Sequence, residues 1–215
     1  KHEMEGGTHR PEIFVYGDNL YLLVVDPEPE AGIQHKGYIF SASEPSNINF
    51  GEYNTFALTP EGSDHRATII GNEIVAVYQV NVMREDLPEG PLTGPSEQYA
   101  ESQKLMMAKF ALNGEEIFRG EILSTTDFDE DNFPDMCILP WGEESFLVST
   151  GSKGYNFKIR EVNLNGDIIS EKLYTFDRDR GSNIGNSMFA VDNGFLFFSS
   201  TDQSITVTEF DKDLN

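Results

Sequence analysis

Leu112-Asn113-Gly114 and Leu164-Asn165-Gly166 are two copies of one short phrase, and Leu214-Asn215 begins a third. Their asparagines, at 113, 165 and 215, are 52 and 50 residues apart. Asn-Gly between alternating apolar segments suits a two-residue hairpin turn with both central residues at positive φ. Reading backward from each copy gives a strand, over 104–111, 155–163 and 204–210. Reading forward from the first two gives another, over 115–124 and 167–176. The sequence stops inside the third copy, so the chain is expected to be part of a longer repeat protein.

A second recurring element lies upstream of each hairpin. Gly17-Asp18-Asn19 precedes Leu20–Val25, and Gly71-Asn72-Glu73 precedes Ile74–Tyr78. Gly142-Glu143-Glu144 precedes Phe146–Val148, and Asp192-Asn193-Gly194 precedes Phe195–Phe198. An apolar stretch comes before each turn. Every repeat therefore reads as strand, tight turn, strongly apolar strand, longer loop, strand, Asn-Gly turn, strand. Uniformly apolar second strands fit a sheet covered on both faces. The first turns, at 17, 71, 142 and 192, are spaced by 54, 71 and 50 residues, so the second repeat carries an insertion. Arg84–Gln103, with Pro88, Pro91 and Pro95, is that insertion. Helix formers fill 96–110, but Lys109–Gly114 aligns with Glu161–Gly166; a strand is expected from Leu105 onward, after a helical turn.

This arrangement resembles a β-propeller, whose blades repeat at such periods. The expected fold class is all-β: four-stranded antiparallel blades over approximately 8–59, 64–125, 132–176 and 183–215, the last without its outer strand. The Gly-His and Trp-Asp marks of WD40 blades are absent, as is the Ser-x-Asp-x-Gly-x-x-Trp box of sialidases. A β-sandwich with accidental periodicity is the alternative.

Composition narrows the partners. The net charge is −22, from 37 acidic and 15 basic side chains. That argues against nucleic acid, whose phosphates are bound mainly by Lys and Arg. It also argues against anionic membrane surfaces. No apolar run approaches the ~20 residues of a membrane-spanning helix, so no membrane insertion is expected. Cys137 is the one cysteine; it lies in an apolar stretch and is expected in the core. The compartment is left open, with a secreted or periplasmic setting favoured.

Chemistry is expected on the face that carries the long loops, 26–36, 59–64, 84–103, 127–135 and 177–186. His9-Arg10 and His65-Arg66 each open the first strand of neighbouring blades, where imidazoles and guanidiniums could hold an anionic or polar ligand. Asp127, Asp129, Asp131 and Asp135 space carboxylates as a Ca²⁺ site would, although the EF-hand Gly and Glu positions are not filled. Glu89-Gly90-Pro91 is similar to the stretch holding the general acid in five-bladed glycoside hydrolases. Thr8-His9-Arg10-Pro11-Glu12 before Leu20-Tyr21-Leu22 resembles their opening blade. The resemblance implies Glu89 as a proton donor, but no matching base Asp is evident. The first expectation is a non-catalytic module binding a protein, glycan or small molecule on the long-loop face, with missing blades or a second chain completing the ring. The alternative is a propeller glycoside hydrolase.

Overall fold

The computed structural model describes residues 9–25, 36–47, 52, 54–57, 62–87, 99–127, 132–152, 156–175, 185–200 and 205–215. Four sheets follow one another along the chain. The first holds β1 (His9–Tyr16), β2 (Asn19–Val25), β3 (Lys36–Ala42) and β4 (Asn54–Ala57). The second holds β5 (Gly62–Ile70), β6 (Glu73–Met83), β7 (Ala100–Ala111) and β8 (Glu116–Thr125). The third holds β9 (Asn132–Pro140), β10 (Ser145–Ser152), β11 (Asn156–Asn163) and β12 (Ile168–Thr175). The fourth has three strands, β13 (Gly185–Val191), β14 (Gly194–Ser200) and β15 (Ile205–Asp211). Within each sheet the strands lie in chain order, as propeller blades do. Among the described residues no helix is long and apolar enough to cross a membrane.

The first turns carry their glycines for a stated reason. Gly17 (φ +58) and Gly71 (φ +59) lead two-residue loops closed by the pairs Tyr16–Asn19 and Ile70–Glu73. A positive φ at the first position alone is the II′ form, which matches strand twist.

The Leu-Asn-Gly hairpins differ from expectation. The Ala111 N–H donates to the Glu115 carbonyl and the Gly114 N–H to the Ala111 carbonyl, both at 2.8 Å. Asn163, Asp167 and Gly166 repeat the pattern at 3.0 Å. Only the glycines have positive φ, +89 at Gly114 and +90 at Gly166. These are three-residue loops: a type I turn over Leu-Asn, then a left-handed residue that closes a bulge.

The third copy shifts register. Asp211 donates to the Asn215 carbonyl (3.2 Å) and Leu214 to the Asp211 carbonyl (3.1 Å), so the loop is Lys212-Asp213-Leu214. Leu214, with φ +59, therefore stands where the other copies have Gly. The phrase Leu214-Asn215 lies two residues beyond the place its sequence suggests. Leu214 is held there by burial in the core, worth about 2 kcal/mol, against roughly 1–2 kcal/mol for a left-handed leucine. Asp211 Oδ1 also accepts from the N–H groups of Asp213 (2.9 Å) and Asn215 (2.8 Å), as Asn163 Oδ1 does from Asn165 and Asp167 (2.9 Å each).

The strand expected from Leu105 begins at Ala100. Gln103, buried in this strand, donates its amide to Asn81 Oδ1 at 3.0 Å. The insertion is closed at its base by a bond from the Arg84 N–H to the Tyr99 carbonyl, 3.0 Å.

The chain divides into two compact units, 1–80 with 106–121, and 81–105 with 122–215. In the first, Tyr21 and Ile39 pack on Ile69, Ile74, Ala76 and Phe110. In the second, the core is aromatic. Phe157 stacks on Phe197 at 4.2 Å and on Tyr174 at 5.0 Å, and Phe195 stacks on Phe210 at 4.9 Å. Such ring pairs add about 0.5–1.5 kcal/mol each beyond burial. Cys137 is buried as expected, with its sulfur 2.8 Å from Ser149 Oγ. Trp141 packs edge-on against Phe195.

Gly114 tests the hairpin geometry. A Cβ there would lie 1.9 Å from the Thr55 carbonyl oxygen, on top of the unfavourable φ. Gly114→Ala should lower unfolding free energy by at least ~2 kcal/mol, against about 1 kcal/mol for Gly17→Ala, where space is open. Urea unfolding of both variants checks the order; equal costs would contradict the close approach.

Candidate functional site

The first strands of three sheets break their pairing near their starts. β1 shifts register between His9 and Glu12, β5 between Ser63 and Arg66, and β9 between its partners Asn132 and Cys137. Bulges of this kind bend a strand and re-aim its side chains, and they cluster beside active sites. All three lie at the strand end away from the first tight turn, which is the long-loop end. β1 and β5 are in contact within the first unit.

Both His-Arg pairs fall in these bulges, so the backbone gathers them on neighbouring strands. They are not equivalent, however. His9 precedes Gly17 by eight residues, whereas His65 precedes Gly71 by six. Counted from the turns, Arg66, opposite Val77, occupies the place of Glu12, opposite Leu23. The side chains of His9, Arg10, Glu12 and Asp64 lie outside the description. His65 is half-buried and stacks on Tyr78, ring centroids 5.6 Å apart. Arg66 is buried, and its Nη1 donates to the His65 carbonyl at 2.8 Å.

Sequence reasoning missed the groups that continue from His65. Tyr78 ends the apolar run of β6, and its hydroxyl accepts from Arg119 Nη1 at 2.7 Å. Arg119 Nη2 in turn donates to Glu116 Oε2 at 2.6 Å. The guanidinium also sits 5.9 Å from the ring centres of both Tyr78 and Phe110. The polar tip on an otherwise apolar strand was the available signal. Burial pushes the Tyr78 phenol above its ordinary range, and Arg119 opposes that shift.

In the second unit, buried Arg160 donates to Glu171 Oε2 (2.5 Å) and Thr150 Oγ1 (2.7 Å). This cross-strand network satisfies a charge inside the third sheet.

The acidic loop is only partly described. Asp127 is exposed, its N–H donating to Thr125 Oγ1 at 3.1 Å. Asp135 lies within β9, inside its bulge, rather than in a loop. Asp129 and Asp131 fall outside the described residues, as does Glu89. Among the described residues no three His, Cys, Asp or Glu side chains converge as a metal site would need.

No family model matches the chain, and no curated protein sequence matches it. Solved structures do. It is similar to Xyloglucan PUL GH43B of Bacteroides ovatus (TM-score 0.61, 9% identity), over 95% of this chain and 39% of that one. It is similar to an exo-beta-1,3-galactanase of Phanerochaete chrysosporium (0.58, 10%), over 93% and 46%. An alpha-L-arabinanase of Cellvibrio cellulosa matches at 0.59 and 14%, over 97% and 74%. The fold is that of a β-propeller. The chain spans less than half the length of the first two of these proteins. The expectation of a non-catalytic binding module does not stand: these three solved structures of the same fold are of glycoside hydrolases, which was the alternative.

The Tyr78–Arg119 contact has a pH consequence. With its phenol raised above the usual value near 10, Tyr78 contributes stability that is present below pH 10 and lost as pH rises through its folded pKa. Arg119→Met should push that ionisation higher still. Absorbance titration near 295 nm, with Tyr78→Phe to assign the phenol, reads this; an unchanged or lowered value would contradict the contact.

Proposed function

We propose that this chain carries the catalytic machinery of a propeller glycoside hydrolase, acting on glycosidic bonds in plant-type or related polysaccharides. What supports the reading is the likeness of nearly the whole chain to propellers that are carbohydrate-active hydrolases. Glycoside hydrolysis needs two carboxyl groups across the scissile bond, one protonated and one ionised. Glu89, in the insertion, is the candidate proton donor to the leaving oxygen. Candidates for the ionised partner are Glu12 and Asp64, each at a bulge on one of two contacting first strands. Arg10 and Arg66 belong to the same bulges, and a guanidinium beside a carboxylate favours its charged form. His9 and His65 would then contact sugar hydroxyls. A secreted or periplasmic setting suits a polysaccharide substrate.

Aryl glycosides of arabinose, xylose and galactose, together with arabinan and galactan oligosaccharides, test this. The chain should release aglycone or reducing ends, and Glu89→Gln should lower kcat by about 10²–10⁴. An aryl substrate with a good leaving group should recover most of that loss. One of Glu12→Gln and Asp64→Asn should be comparably damaging without such recovery. Absence of hydrolysis by the unaltered chain, or wild-type rates in all three variants, would overturn the proposal.

A further inference from the structure

The bulge of β5 sets Asp64 and His65 opposite one residue of β6, Tyr78, because Ser63 pairs with Gln79 and Arg66 with Val77. Two residues facing one re-aim their side chains, and here the imidazole is laid on the phenol. The rings stack with centroids 5.6 Å apart and planes 25° from parallel. Arg66 holds the backbone at the same point, through the bond from its Nη1 to the His65 carbonyl. His65 is thus fixed twice, once by its carbonyl and once by its ring.

The phenol is held in its turn. Arg119 stands on β8, the outermost strand of the sheet, with β7 between it and β6. Its guanidinium passes the Phe110 ring of β7 and binds the Tyr78 hydroxyl at 2.7 Å. Glu116 orients that guanidinium, accepting from Nη2 at 2.6 Å and from Nε at 3.3 Å. Hydrogen bonds with a charged partner are roughly twice as strong as neutral ones, so the phenol oxygen is firmly placed. All of these residues belong to the first unit. Core packing alone does not call for the tyrosine. Tyr78 is the sixth residue of its strand, and the sixth residue is Val24 in β2 and Ser199 in β14. Neither is aromatic, and both sheets form.

We propose that Tyr78, pinned by Arg119 and Glu116, is the positioning residue that aims the His65 imidazole at the sugar. This role rests on the hydrolase reading, in which His65 meets sugar hydroxyls. A ring already set in its bound orientation loses less freedom when the ligand arrives, which favours binding. Contacts to hydroxyls away from the reacting bond are made alike in the bound substrate and in the transition state. Losing such a contact raises KM and leaves kcat nearly unchanged.

Steady-state kinetics tests this, on whichever aryl arabinoside, xyloside or galactoside the unaltered chain cleaves fastest. Tyr78→Val, which copies Val24, should raise KM about tenfold and keep kcat within about twofold. His65→Ala should do the same. The double variant should be no worse than His65→Ala alone, because Tyr78 acts through His65. Arg119→Met should raise KM about threefold, again without adding to His65→Ala. Arg119 is partly exposed, so this variant carries the comparison if Tyr78→Val does not fold. Ile69→Val, in the same core, should lower the melting temperature without moving KM. The imidazole resonance that His65→Ala removes from the proton NMR spectrum should shift in Tyr78→Val, as the ring current of the phenol is lost. Unchanged KM in the Tyr78 and Arg119 variants, an equal rise in Ile69→Val, losses that multiply in the double variant, or a His65 resonance that stays in place would overturn the role and leave the hydrolase reading intact. A chain that cleaves none of the three glycosides would overturn that reading, and the role with it.

Discussion

A strand covered on both faces has no polar side to tell it which way to point, and β6 and β10 are such strands. Every residue from Ile74 to Gln79 and from Ser145 to Thr150 is buried. Alternation cannot set their register, because a slip by one residue would still bury apolar groups. The turns must do it. That is why Gly71 leads a II′ loop into β6 and why Gly114 and Gly166 take the left-handed place in three-residue loops. It also explains how Leu214 can adopt φ +59: the hydrogen bonds of Asp211 and the buried side chain hold the same loop without a glycine.

Much of the fold was legible because turn chemistry is local. Gly-Asp-Asn and Asn-Gly between apolar runs mark where the chain turns, although not that Asn-Gly sits in a three-residue loop, and the period follows from counting them. What misled was identity of letters. Leu214-Asn215 matches Leu164-Asn165 in sequence, yet Lys212-Asp213-Leu214 is the loop, because the hydrogen bonds follow Asp211 as they follow Asn163. A leucine in a glycine's conformation cannot be read from composition. The start of β7 was missed because helix formers fill 96–110, whereas the distant Asn81 shows how a strand accommodates the buried Gln103.

The candidate site was legible as residues and not as geometry. His65 and Arg66 were singled out as opening a strand; they lie three and four residues inside β5, at its bulge, and β5 contacts β1. The bulges that offset them from His9 and Arg10 depend on pairing across the sheet, which no local pattern records. Tyr78 of β6 is far in sequence from Glu116 and Arg119 of β8, and they meet only because one sheet carries both strands, with β7 between them. Support for the hydrolase alternative comes from fold likeness, since the sequence motif around Glu89 lacked a visible partner carboxylate.

Amide hydrogen exchange within the second unit tests the central claim most directly. If a doubly covered second strand holds its sheet, the amides of Phe146–Thr150 in β10 should be the last to exchange, opening only with global unfolding. Those of β12, the outer strand of the same sheet, should exchange well before them. Protection in β12 that equals or outlasts that in β10 would show that the sheet is held from its edge, and would contradict this account.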